Sequence, residues 1–161
     1  IYFPRIILPI SVTLTNLVNM LLTFIIVFLA LLISKSPVTL LYLYLPIIII
    51  IETLLALAFS MVLSSITVYF RDLEHIVSVL MMAWFYLTPI VYTMEYIPEK
   101  VLYIFKANPM FPIINAYRDV LMFNKTPDLR GLLYAFIFSI LLIIPGYYIF
   151  NALQKRFAEE I

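Results

Sequence analysis

Four long apolar runs dominate this chain and limit what it can fold into. A helix crossing about 30 Å of hydrocarbon at about 1.5 Å per residue needs about 20 apolar residues. The runs cover 10–33, 40–68, 76–92 and 131–150. Of the 161 residues, 65% are hydrophobic and 12% charged, against roughly 45–50% and about 25% in a soluble domain. A soluble fold of this size cannot hide that much apolar surface. The runs therefore predict an all-α, polytopic membrane helix bundle with four spans.

Polar residues inside the runs are the next signal. Thr15, Asn19 and Thr23 recur every four residues in the first run and so share one helical face. That face is expected to pack on another helix, because Asn facing lipid is costly. The second run holds one ionisable residue, Glu52. A charge at bilayer depth costs about 2.5–3.5 kcal/mol on insertion scales. Glu52 is therefore either a substrate-path or proton-relay residue, or a protonated carboxyl hydrogen-bonded to a neighbouring helix.

The stretch 93–130 reads differently. Pro98 can start a short helix, Asn108-Pro109 breaks it, and Pro112 can start a second. Ile113, Ile114, Tyr117, Val120 and Leu121 share one face of that second helix, with Asn115, Arg118 and Asp119 off it. Each piece is too short to span and too polar for lipid exposure, which predicts an interfacial or re-entrant helical hairpin. Arg118 and Asp119 read as a local ion pair, or as a contact for an anionic lipid-linked substrate.

Composition also excludes several chemistries. The net charge of +1 gives no basic field for nucleic acid. The chain has no cysteine, hence no disulfide or thiolate metal site, and its one histidine, His75, has no second imidazole or thiolate to complete a transition-metal centre. The two glycines, Gly131 and Gly146, cannot build a phosphate-cradling loop, so nucleotide chemistry is expected on a partner. No serine stands out as a nucleophile, and no catalytic residue is expected. Arg71, Asp72, Glu74 and His75 form a charged knot between two runs, either a solvated turn or a contact for a cytoplasmic partner. Trp84, Phe85, Tyr86 and Tyr92 lie toward one interface. They suit an aromatic belt, or a lining on which sugar rings stack, with Trp84 and Tyr92 on one face. The chain opens on Ile1 with no signal-peptide pattern and reads as a fragment lacking its N-terminal part.

Several motifs carry a family resemblance in order. They are Tyr2-Phe3-Pro4-Arg5-Ile6-Ile7-Leu8-Pro9, Val68-Tyr69-Phe70-Arg71-Asp72-Leu73-Glu74-His75-Ile76 and Tyr86-Leu87-Thr88-Pro89-Ile90-Val91-Tyr92. Asn108-Pro109-Met110, Ala116-Tyr117-Arg118-Asp119 and the closing Phe157-Ala158-Glu159-Glu160 follow. Together they resemble the permeases of ATP-binding-cassette exporters of O-antigen, capsule and teichoic acid. The resemblance implies spans three to six of a six-span permease, with the 93–130 hairpin on the outer side. It implies a bacterial cytoplasmic (inner) membrane location, a cytoplasmic C-terminus, a second permease copy, and a separate ATP-binding subunit that holds ATP and Mg. Tyr2, Phe3, Pro4 and Arg5, with Arg71, Asp72 and Glu74, would couple to that subunit. Glu52, Trp84, Tyr86, Tyr92 and Arg118 would line the path of a polyprenol-linked glycan. Glu52 departs from the family pattern, where a neutral residue such as Gln is expected.

Charge bias points the other way on orientation. Arg5, Arg71, Lys155 and Arg156 fall on one side; Lys35, Lys100, Lys106, Arg118, Lys125 and Arg130 fall on the other. The positive-inside tendency then favours termini outside, so the cytoplasmic C-terminus rests on the resemblance. An exporter of drugs or other lipids would share the span pattern. A membrane-embedded transferase would need converging acids and histidines, for which only Asp72, Glu74 and His75 are candidates. A purely structural membrane subunit is a further alternative.

Overall fold

The computed structural model describes residues 6–34, 39–67, 73–92 and 97–157, with side chains described throughout except at 73–74 and 153–157. All regular structure among the described residues is helical: α1 Ile7–Ile33, α2 Leu45–Thr67, α3 Leu73–Leu87, α4 Leu102–Ala107, α5 Met110–Leu121 and α6 Leu129–Phe157. A 3₁₀ turn, Leu40–Tyr44, leads directly into α2. Among the described residues, three helical stretches are long and apolar enough to cross a bilayer: Ile7–Ile33, Leu40–Thr67 and Leu129–Ala152.

The third apolar run differs. Its helix, α3, has 15 residues, about 22 Å at about 1.5 Å per residue. Thr88-Pro89 stops it. The Thr88 N–H reaches only back to Phe85 O at 3.2 Å, its hydroxyl donates to Trp84 O at 2.8 Å, and Pro89 has no N–H to continue the ladder.

Hydroxyl groups inside the long helices satisfy themselves on their own backbone. Thr13 donates to Pro9 O at 2.8 Å, Thr53 to Ile49 O at 2.7 Å and Ser139 to Ala135 O at 2.7 Å. This back-bonding makes a polar residue tolerable where no water competes. The expected packing of the Thr15, Asn19 and Thr23 face is not found. All three are exposed, and Thr15 and Thr23 back-bond to Ser11 O and Asn19 O at 2.9 Å. The Pro9–Thr13 face is the buried one. Hydroxyls that find a carbonyl one turn back need no second helix.

The core sits where α5 meets the first halves of α2 and α6. Leu45, Ile48, Ile51 and Leu55 of α2 enclose Ile113, Ala116 and Val120 of α5, with Leu132 and Ala135 of α6. Ile113, Val120 and Ala135 are completely buried. Of the α5 face read from the sequence, Ile113 and Val120 are buried and Ile114, Tyr117 and Leu121 half-buried, while Phe111, Pro112 and Ala116 are buried as well. Asp128 caps α6, its carboxylate accepting the Arg130 N–H at 3.1 Å. Asn124, at φ 48°, reverses the chain after α5; asparagine tolerates this left-handed backbone, and its side-chain oxygen accepts the Thr39 hydroxyl at 2.9 Å.

Further along, α2 and α6 stay close because Gly146 removes a side chain. A Cβ there would lie 3.1 Å from Val62 Cγ2 and 3.4 Å from Met61 Cβ. Gly146→Ala requires Val62 to yield a few tenths of an ångström, whereas Gly146→Leu must separate the helices. We expect Gly146→Leu to cost about 1–3 kcal/mol and to lower the thermal midpoint of the detergent-purified protein well beyond Gly146→Ala. Equal midpoints for the two variants would show that α2 and α6 do not depend on this contact.

Candidate functional site

Glu52 sits midway along α2, half-buried, on the side that meets α1 and α5. The Tyr117 phenol, from the middle of α5, donates to Glu52 Oε2 at 2.6 Å. The Tyr117 ring packs on Phe24 of α1, centroids 5.6 Å apart. Phe24 in turn meets Phe28 at 6.1 Å, and Phe28 meets Tyr42 at 5.9 Å. One hydrogen bond and one aromatic row thus join α2, α5, α1 and the 3₁₀ turn. Sequence periodicity put Tyr117 on the buried face but gave no sign that its hydroxyl would answer Glu52, 65 residues away.

Below this pair, α1 and α2 part into a groove of about 270 Å³, lined by Thr13, Asn16, Glu52 and Thr53 among apolar neighbours. A second, apolar groove of about 310 Å³ lies along the same pair of elements, walled by Phe24, Phe28, Tyr42 and Pro46. The polar groove is where the carboxyl of Glu52 is reached from outside.

The other residues singled out from the sequence gather elsewhere, at the end of α3. Trp84 packs edge-on against Phe59 of α2 at 5.4 Å, and Tyr86 is exposed beside Phe85. Tyr92 lies past the end of α3, so it shares no helical face with Trp84; its hydroxyl donates to Tyr86 O and its ring meets Phe105 of α4 at 6.3 Å. Arg118 makes no pair with Asp119, because adjacent helical residues do not face each other. It reaches across to Ile90 O at 2.7 Å. Glu52 is therefore not grouped with Trp84, Tyr86, Tyr92 and Arg118.

A buried residue missed by the sequence reading ties this end together. Asn108 is 7% exposed. Its amide donates to Thr88 Oγ1 at 2.9 Å and Leu87 O at 3.3 Å, while its oxygen accepts the Met110 N–H at 2.9 Å. The break expected at Asn108-Pro109 is thus also the clamp between the end of α3 and the start of α5. Tyr2, Phe3, Pro4, Arg5, Arg71 and Asp72 lie outside the described residues, as does the side chain of Glu74. No group of three or more metal-ligating side chains occurs among the described residues.

Residues 1–122 match the family described as ABC-2 type transporter. The chain belongs to the ABC-2 type transporter family. It is 32% identical over 162 residues to the O-antigen export system permease protein RfbA of Myxococcus xanthus, covering 99% of this chain and 62% of that protein. Two Klebsiella pneumoniae proteins of the same name are 33% and 34% identical over 158 residues, covering 98% of this chain and 61% of each. The chain thus spans less than two thirds of the length of these relatives. Family membership and three apolar helices of crossing length make it a multi-pass membrane protein. The family is one of membrane subunits, in keeping with the absence of a catalytic constellation in the sequence reading. In this ABC-2 chain the hairpin α4–α5 is fastened to α2 by Tyr117–Glu52, to the end of α3 by Asn108–Thr88 and Arg118–Ile90, and to α6 by Tyr134–Ala107.

The Tyr117–Glu52 bond can be tested by a double-mutant cycle. Tyr117→Phe leaves the carboxyl without its donor and should cost about 1–3 kcal/mol. Glu52→Leu strands the phenol in the same way. The double variant should lose less than the sum of the singles, by about 1 kcal/mol or more. Thermal unfolding of the purified protein in detergent measures this, and strictly additive losses would mean that the pair does not fasten the hairpin.

Proposed function

We propose that this chain is the membrane-spanning part of a permease in an ATP-driven exporter of cell-surface polysaccharide. The observation that carries the reading is similarity to O-antigen export permeases over 98% or more of the chain. The cargo class is a glycan of the O-antigen, capsule or teichoic acid type, or its polyprenol-linked precursor. The membrane is the bacterial cytoplasmic one, with the C-terminus cytoplasmic. The permease makes and breaks no covalent bond; ATP and Mg belong to a separate ATP-binding subunit, and a second permease copy completes the path.

In this reading α3 is also a span, the third of four in this chain and the fifth of a six-span permease, short because Thr88-Pro89 ends it inside the bilayer, and α4–α5 is a re-entrant hairpin on the outer side. ATP binding closes the partner subunits and pushes on the segments that include Tyr2–Arg5 and Arg71–Glu74. The push travels along α2 and α3 and moves the hairpin, which hangs from both by Tyr117–Glu52 and Asn108–Thr88. Tyr86, Tyr92 and Trp84 stand at the outer end of α3, where they offer faces to sugar rings, and Arg118 bridges to them through Ile90. Glu52 serves the path through Tyr117, as the anchor that sets where the hairpin sits.

Deleting the gene should abolish surface polysaccharide while lipid-linked precursor accumulates inside the cell. Arg71→Ala should lower export without lowering the amount of permease in the membrane. Normal surface polymer after deletion would remove the polysaccharide reading and favour an exporter of drugs or other lipids.

A further inference from the structure

A cavity of about 450 Å³ lies between α5 and the start of α6, and three charged residues line it: Lys106 at the end of α4, Asp119 on α5 and Asp128 just before α6. Among the described residues none of the three is in an ion pair. They fall at two poles. At one, Asp119 and Asp128 stand together. Burial raises the Asp119 carboxyl above the ordinary carboxylate value, Lys125 opposes this, and the Asp128 carboxylate adds to it. Asp128 Oδ2 lies over Gly131, 3.0 Å from where a Cβ would stand. At the other pole, Lys106 precedes Ala107, whose carbonyl accepts the Tyr134 hydroxyl at 2.7 Å. Tyr134 follows Asp128 by six residues, about 9 Å along α6 at about 1.5 Å per residue. The crossing stretch Leu129–Ala152 has 24 residues, about 36 Å against about 30 Å of hydrocarbon. Its first turn therefore lies at headgroup level, with the two carboxylates toward water and the lysine deeper. Phe111 and Pro112 give the same cavity an apolar wall.

We propose that this cavity seats the headgroup of a phospholipid that carries a primary ammonium group, as phosphatidylethanolamine does. In such a lipid the phosphate is bonded to the glycerol and the ammonium hangs beyond it. A bilayer therefore presents phosphate deeper and ammonium nearer water. The two poles have the matching order, with Lys106 at the depth of the phosphate and Asp119 and Asp128 where the ammonium stands. Lysine holds phosphate as a point charge, and a primary ammonium has three N–H donors to share between two carboxylates. Other ligands answer one pole only. An anionic headgroup such as that of phosphatidylglycerol meets Lys106 and brings no cation to the carboxylates. A metal cation meets the carboxylates and leaves Lys106 unanswered. A choline headgroup has the same order of charges but no N–H to donate. The site takes a component of the membrane and not the cargo, so it stands apart from the export reading.

The test is native mass spectrometry of the full-length protein in detergent. The probes are the dioleoyl forms of phosphatidylethanolamine, phosphatidylcholine and phosphatidylglycerol in equal amounts. The ethanolamine lipid should be retained roughly tenfold over the choline lipid, a difference made by hydrogen bonds to a charged group. Asp119→Asn should remove most of that preference and leave binding of the choline lipid as it was. Lys106→Ala should weaken the ethanolamine and choline lipids alike and leave their ratio unchanged. Lys106 is exposed and Asp119 half-buried, and unchanged thermal midpoints verify that both variants fold. Equal retention of the ethanolamine and choline lipids by the unaltered protein, or strongest retention of phosphatidylglycerol, would overturn the assignment without any variant. An ethanolamine preference that persists in Asp119→Asn, or lipid retention unchanged in Lys106→Ala, would overturn it as well. The readout is lipid bound and not polymer exported. Failure here leaves the exporter reading as it was, and failure of the deletion experiment leaves this site standing.

Discussion

Hydrocarbon supplies no hydrogen-bond partner, and this structure is organised by how its polar groups meet that condition. Backbone groups are met by helices. Serine and threonine hydroxyls turn back onto carbonyls three or four residues earlier, as at Thr13, Thr53, Ser65 and Ser139. A carboxyl has no such local solution, because its reach and charge exceed what one turn of backbone can answer. Glu52 is answered instead from another element, by Tyr117. That single need brings a short helix from the 93–130 region into contact with a long apolar one.

The rest of the core follows from this contact. With Tyr117 turned toward α2, the same side of α5 presents Ile113, Ala116 and Val120 to Leu45–Leu55 and to Leu132 and Ala135. α5 therefore works as a wedge between α2 and α6, which then run side by side down to Gly146 and Val62. The opposite side of α5 is mixed, Phe111 and Pro112 lining a cavity together with Asn115 and Asp119. A helix of 12 residues thus carries a packing face, an anchoring phenol and part of a cavity wall at once.

Two of the bonds that fasten the hairpin differ in kind. Tyr117–Glu52 joins it to a long helix, and Asn108–Thr88 joins it to the end of a short one. α3 itself is lightly held: apart from Trp84 on Phe59, its apolar side chains such as Val79, Met82 and Tyr86 are exposed. An element with few packed contacts opens at lower cost than one in the core. The clamp at Asn108 makes any shift of α3 a shift of the hairpin too.

Run length and apolar content alone determined that this is a helical membrane protein, because lipid leaves the backbone few choices. The sequence likewise determined the break at Asn108-Pro109 and, on α5, the burial of Ile113 and Val120, since proline and helical periodicity act locally. It placed Glu52 as an anomaly and offered hydrogen bonding to a neighbouring helix as one answer. Only the tertiary structure decided which helix, because a partner 65 residues away leaves no periodic trace. The same holds for the outward turn of Thr15, Asn19 and Thr23, for the reach of Arg118 to Ile90 and for the unpaired amide of Asn115. Each depends on which side of a helix meets another, and that is settled when the helices pack, not when they form.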